Sequence, residues 1–168
     1  NDIIQENLDY FGKLNLEAIS DLERIELFRK LVHQLKEGNP LKRYRGDVYF
    51  EVDRLMELFS IMKRENWTTE YIIEKADEYI EMIEHAEPGT EIYKTFYYLK
   101  KTKTAEAGDK KPSYQDELDK INVLKYAAKE FVNYQKIMSD ANRYDFDDMI
   151  LWILNAFKND QNFLLNYQ

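Results

Sequence analysis

Apolar residues return every three or four positions through most of this chain, the spacing of one buried stripe on a helix. Ile3, Ile4, Leu8 and Phe11 open the pattern, and Gly12 closes a short first helix. Ser20-Asp21-Leu22-Glu23 then reads as a capping box: the serine hydroxyl takes the Glu23 amide and the glutamate reaches back to the Ser20 amide. The helix it starts carries Ile25, Phe28, Leu31, Val32 and Leu35, and Gly38-Asn39-Pro40 ends it, placing it at about 20–37. A basic loop, 40–46, leads to a third helix with Val48, Val52, Leu55, Met56, Phe59 and Met62, ending near Asn66, with Trp67 in a tight connection. Thr68 or Thr69 caps a fourth, whose inward face is Tyr71 or Ile72, Ala76, Tyr79, Ile80 and Ile83, and which stops before Pro88-Gly89.

The rhythm weakens over 90–112. Ile92, Phe96 and Leu99 support one or two helical turns, whereas 100–111 has no apolar period and is followed by Pro112, so 100–112 is expected to be an exposed, mobile loop. The longest periodic stretch follows at about 113–140, with Leu118, Ile121, Leu124, Ala128, Phe131, Gln135 and Met138; the one polar entry, Gln135, is assigned to an open edge. Asp145 stands where a helix should be capped, Asp148 is three residues on, and Phe146 with the apolar run after it reads as core. A turn of helix at Phe163-Leu164-Leu165 follows Asp160. The expected fold is all-α, an irregular bundle of about six to seven helices, without a repeat of fixed period.

With 168 residues the chain is long enough to bury a core without staples, and five glycines and three prolines are too few for an all-β reading. It has no cysteine, which removes disulfides, cysteine zinc sites and thiol nucleophiles. The longest unbroken apolar run, Met149 to Leu154, is far shorter than the roughly 20 residues that span a bilayer. The amino end shows no signal-peptide pattern, so no membrane partner and a cytoplasmic location are expected. Because it starts at Asn1 inside an amphipathic pattern, the sequence is expected to be cut from something longer.

Catalytic motifs are absent from the sequence. No glycine opens a GxxxxGK[ST] phosphate loop, and neither His33 nor His85 follows a glutamate at the spacing of bundle di-iron sites. Asp140, Asp145, Asp147 and Asp148 are a possible hard-cation set, but helix capping explains Asp145 and Asp148 more simply. No catalytic residue and no metal site are assigned.

Phe131-Val132-Asn133-Tyr134-Gln135-Lys136, followed by Asn142-Arg143-Tyr144-Asp145-Phe146-Asp147-Asp148-Met149-Ile150, resembles the F-x-x-Y-Q helix and [LY]-D-F-D-D-[LM]-[IL] motif of UvrD/Rep/PcrA-type superfamily 1 DNA helicases. Phe163 to Gln168 looks like the stretch just before that family's Walker B motif. The clear match covers about the last 40 residues; the first 110 agree in helicity and length only. The resemblance implies that 1–144 is the helical accessory subdomain called 1B, with loop 100–112, and that 145–168 is the motif helix returning toward the motor domain. It further implies a parent that uses ATP and Mg²⁺ to move 3′ to 5′ on single-stranded DNA, with this region guiding the strands. The fragment itself would need no cofactor and have no ATPase activity, since Walker A, Walker B and the arginine finger lie elsewhere. Its partners would be DNA and the remaining motor domains of the same chain. Asp145, Phe146, Asp147 and Asp148 carry over as a motif at a helix start, without a catalytic role.

The net charge of −8 argues against a surface made wholly to coat DNA, but the charge is polarised. Segment 94–111 has six lysines and two acids, segment 40–46 adds Lys42, Arg43 and Arg45, and everything else sums to −15. Lys42, Arg43, Arg45, Lys100, Lys101, Lys103, Lys110 and Lys111 are therefore the candidate DNA-contacting residues, with Tyr44, Tyr97 and Tyr98 beside them for base stacking. The alternative is a free-standing acidic helical module that binds a partner protein, with Trp67, Trp152 and the thirteen tyrosines as anchors.

Overall fold

The computed structural model describes residues 2–12, 15–42 and 46–167. The fold is all-α: helices α1 (Asp2–Glu6), α2 (Leu8–Phe11), α3 (Asp21–Gln34), α4 (Val52–Arg64), α5 (Thr69–Glu84), α6 (Glu91–Phe96), α7 (Pro112–Asp140), α8 (Phe146–Asn159) and α9 (Gln161–Leu165) are joined by turns. The two strands among the described residues, β1 (Glu17–Ala18) and β2 (Arg143–Tyr144), pair in parallel with Glu17 opposite Arg143 and Ala18 opposite Tyr144. Two compact units result, 1–68 with 130–168 and 69–129.

In the first unit α3 starts as its capping box requires: the Ser20 hydroxyl accepts from the Glu23 amide and Glu23 accepts from the Ser20 amide. These bonds and Arg143 hold the Glu23 carboxyl down at about 2. The helix stops at Gln34, short of the expected 37, because Leu35 is extended and the Lys42 ammonium donates to the His33 and Leu35 carbonyls, at 3.3 Å each. α4 starts at Val52, four residues past the first apolar position of its stripe. The Asp47 carboxylate takes the Tyr49 amide at 2.8 Å, an alternative to helix that short acidic side chains offer. It ends in a Schellman closure: Asn66 is left-handed (φ 53°), its amide donates to Lys63, and the Trp67 amide donates to Met62 at 2.8 Å. The core packs Phe28 against Tyr134 with the rings tilted (centroids 4.7 Å apart, 32° between planes), and Phe59 lies 5.1 Å from Tyr134 and 5.2 Å from Phe131.

The second unit packs Ala76 and Ile83 of α5 against Phe96, Tyr97, Tyr114 and Ile121. The Tyr97 hydroxyl donates to the Ile83 carbonyl at 3.0 Å, near the end of α5, where that oxygen also takes the Ala86 amide at 3.4 Å. The segment expected to be a free loop is closed at its base like a hairpin. The Tyr98 amide donates to Asp109, the Gly108 amide to Tyr98 and the Lys111 amide to Phe96, at 2.8–2.9 Å, around an antiparallel bridge of Tyr97 and Lys110. Gly108 makes this return possible, having φ +91°, where a Cβ is strained. Pro112 then serves as the first residue of α7, a place where its missing N–H costs nothing.

Candidate functional site

Asp145 caps α8 as its position implies. Its carboxylate accepts from the Asp148 amide at 2.9 Å, and the Asp148 carboxylate accepts from the Asp145 amide at 3.0 Å, so the motif closes a reciprocal box. The box turns both carboxylates inward onto Lys63 of α4, whose Nζ stands 2.9 Å from Asp145 Oδ2 and 2.7 Å from Asp148 Oδ1. The Lys63 side chain is 1% exposed. Its ammonium fills the position that a hard cation would take between the two acids. The Tyr134 hydroxyl donates to Asp145 Oδ2 at 3.2 Å, and its ring lies 5.0 Å from Lys63 Nζ.

The remaining acids of the run face elsewhere. Asp147 accepts from the Ser60 hydroxyl and lies 4.0 Å from Arg64, while Asp140 pairs with Lys136 at the surface. Among the described residues no group of three His, Cys, Asp or Glu is arranged to hold a metal ion.

Phe146 is 64% exposed and corrects the expectation that it is core. With Asp145 and Asp148 turned to Lys63, the residue one helical step from Asp145 must point away. The apolar run behind it is also largely half-buried: Ala156 alone is buried among the described residues of α8, and Leu154 is exposed. Gln135 lies exposed, as its polar place in the stripe implies.

Two carboxylates share one buried ammonium, and this splits their acidity. Burial pushes the Asp148 carboxyl up and the neighbouring Asp145 charge adds to it, so its net direction is upward despite Lys63. Burial also raises Asp145, but the charge and hydrogen bond of Lys63, together with the Asp148 amide, outweigh it and hold Asp145 below its ordinary range. Tyr134 is kept protonated, its hydroxyl pushed far up by burial and then by Asp145.

The signs for stability are opposite. Asp148 binds its proton more tightly folded than unfolded, so its contribution falls as pH rises from the ordinary aspartate value, 3.8, through its raised one. Asp145 stabilises above its ordinary value, and that part is lost as pH falls through the depressed one. Urea unfolding from mildly acid to neutral pH is expected to show a decline in stability that Asp148→Asn flattens.

The candidate DNA-contacting residues divide into three groups. Arg43 and Arg45 lie outside the described residues, and Lys42 is engaged at the end of α3. In the second unit Lys100, Lys101, Lys103 and Lys110 are exposed on the hairpin-like loop, with Lys111 half-buried at its base. Lys101 pairs with Glu106, Lys110 stands 3.9 Å over the Tyr114 ring, and Lys111 donates to the Lys94 carbonyl. Lys100 and Lys103 are exposed, and no ion pair holds them among the described residues. Tyr98, Thr104, Gly108, Lys110 and Gln115 line a shallow concavity beneath the loop.

Sequence reasoning did not single out Lys63, since a lysine in a helix reads as surface. The signal was positional: it falls four residues after Phe59 and one after Met62, inside the apolar stripe of α4. Ser60 gave no such signal, nor did Arg24 of α3, whose positive charge acts on Asp145.

No family model, curated protein or solved structure matches this chain. No helix among the described residues is long and apolar enough to cross a membrane.

Proposed function

We propose that this chain is a non-catalytic helical region of a UvrD-like, ATP-dependent 3′ to 5′ DNA helicase, resembling subdomain 1B with its return to the motor, and that it helps guide DNA. One observation carries the reading. The two sequence blocks of the resemblance meet in space: Phe131 packs on Phe59, Tyr134 bonds Asp145, and Asp145 and Asp148 close on Lys63. That Tyr134 of the first block and Asp145 of the second share one buried cluster supports reading the two as a single motif. The catalytic groups, with ATP and Mg²⁺, belong to other parts of the parent.

The loop carrying Lys100, Lys101 and Lys103 is the DNA-facing surface in this reading. Lys100 and Lys103 are exposed and stand clear of the backbone hydrogen bonds that close its base, and Lys101, paired with Glu106 at the surface, can exchange that carboxylate for a phosphate. Reversing all three to glutamate in the complete protein is expected to weaken single-strand binding and lower the slope of log affinity against log salt by about 2, at ~0.7 per phosphate contact. Titrations at several salt concentrations check this; an unchanged slope removes the loop from the DNA surface.

A further inference from the structure

Beside the buried ion cluster of the first unit lies a recess of about 210 Å³, lined by Leu16, Lys63, Gln135, Met138, Ser139, Asp148 and Trp152. At ~30 Å³ per water it holds the volume of roughly seven waters, enough for the end of a lysine-sized molecule. Lys63 and Asp148 are its two charged lining residues, and Asp148 is the more exposed of them, its side chain 15% exposed against 1% for Lys63. Lys63 is turned to Asp145 and Asp148 together, so each acid has half a counter-ion. The positive charge of Arg24, on α3, acts on Asp145 and Tyr134 and leaves Asp148 the less compensated of the pair. Arg64 and Asp147 face each other instead. Gln135 and Ser139 of α7, which carry neutral hydrogen-bonding side chains, line it together with the aromatic Trp152 of α8 and the apolar Leu16 and Met138.

An acid short of positive charge, an aromatic residue and neutral hydrogen-bonding side chains around a lysine-sized space define a host for a cation with an apolar tail. We propose that this recess binds a small organic cation, a protonated alkyl amine or guanidinium group, against Asp148 and Trp152. The same chemistry is presented by a free amine and by the side chain of a lysine or arginine in a polypeptide. The proposal does not depend on the helicase reading. Acidification weakens the site, because Asp148, whose carboxyl burial already pushes up, then takes a proton.

The test is a titration of the chain with n-butylammonium chloride against sodium chloride at equal ionic strength, following the Trp152 indole and Asp148 carboxyl NMR signals. Saturable shifts are expected with the amine only, at least tenfold weaker in Asp148→Asn. Gln135→Lys, at an exposed position that leaves the core intact, plugs the recess with a tethered ammonium and is expected to abolish binding. A capped lysine, Nα-acetyl-lysine-methylamide, that binds as well as the amine assigns the site to a polypeptide side chain; one that fails to bind beside an amine that does assigns it to a free amine. Equal shifts with sodium chloride, or amine binding unchanged in both variants, overturn the proposal.

Discussion

Replacing Lys63 by methionine is expected to destabilise the first unit by ~3–5 kcal/mol at neutral pH, the scale for removing one partner of a buried ion pair. Methionine fills much the same volume, so the loss is electrostatic: Asp145 and Asp148 are left facing each other with no cation between them. The loss should shrink on acidification, since one proton shared by the two acids then does the work of the missing ammonium. It should also be smaller in an Asp148→Asn background, with a coupling of about 1–3 kcal/mol in the cycle of Lys63→Met and Asp148→Asn. Urea unfolding of the four proteins at pH 5 and pH 7 reads all three numbers. Equal losses at both pH values, with no coupling, mean that Lys63 acts through packing alone.

Tyr134 joins the apolar core to this cluster, and its two halves separate by substitution. Tyr134→Ala removes a ring that packs within 4.7 Å of Phe28 and 5.1 Å of Phe59 at centroid distance, and is expected to cost ~3–5 kcal/mol. Tyr134→Phe keeps the ring but withdraws the hydroxyl from Asp145 Oδ2, at ~1–2 kcal/mol. Asp145 retains Lys63 and the Asp148 amide, so the smaller figure is the one a still-partnered carboxylate should show. Thermal unfolding orders the three proteins; a phenylalanine variant as damaged as the alanine variant shifts the weight from packing to the hydrogen bond.

The helix caps were the most legible part of the fold. Ser20 with Glu23 and Asp145 with Asp148 place a short polar side chain three residues before an amide it can accept from, a spacing visible in a string of letters; Thr90 and Asp160 cap α6 and α9 in the same way but were not picked out. Less legible were boundaries set by competition at a distance. α3 ends early because Lys42, seven residues beyond Leu35, reaches back to its carbonyl, and α4 starts late because Asp47 prefers the Tyr49 amide. The strands β1 and β2 have two residues each and pair across the chain, so no alternation announced them. In the site, the acids were read correctly as caps, but the direction they face was not. Once a buried lysine draws Asp145 and Asp148 inward, the helix turns Phe146 outward, and no local pattern carries that information. The loop is similar: its lysines read as solvated, whereas the hydrogen bonds that close its base join residues ten or more apart.

ATP hydrolysis by the full-length protein tests the proposed helicase reading most directly. The expected result is Mg²⁺-dependent turnover that rises on adding single-stranded DNA, from a reading frame with a phosphate-binding loop upstream and a DE-x-x-D motif within about a dozen residues downstream. The 168-residue chain alone should show no turnover, since it contains no phosphate-binding loop. A full-length protein that neither hydrolyses ATP nor responds to single-stranded DNA contradicts that reading.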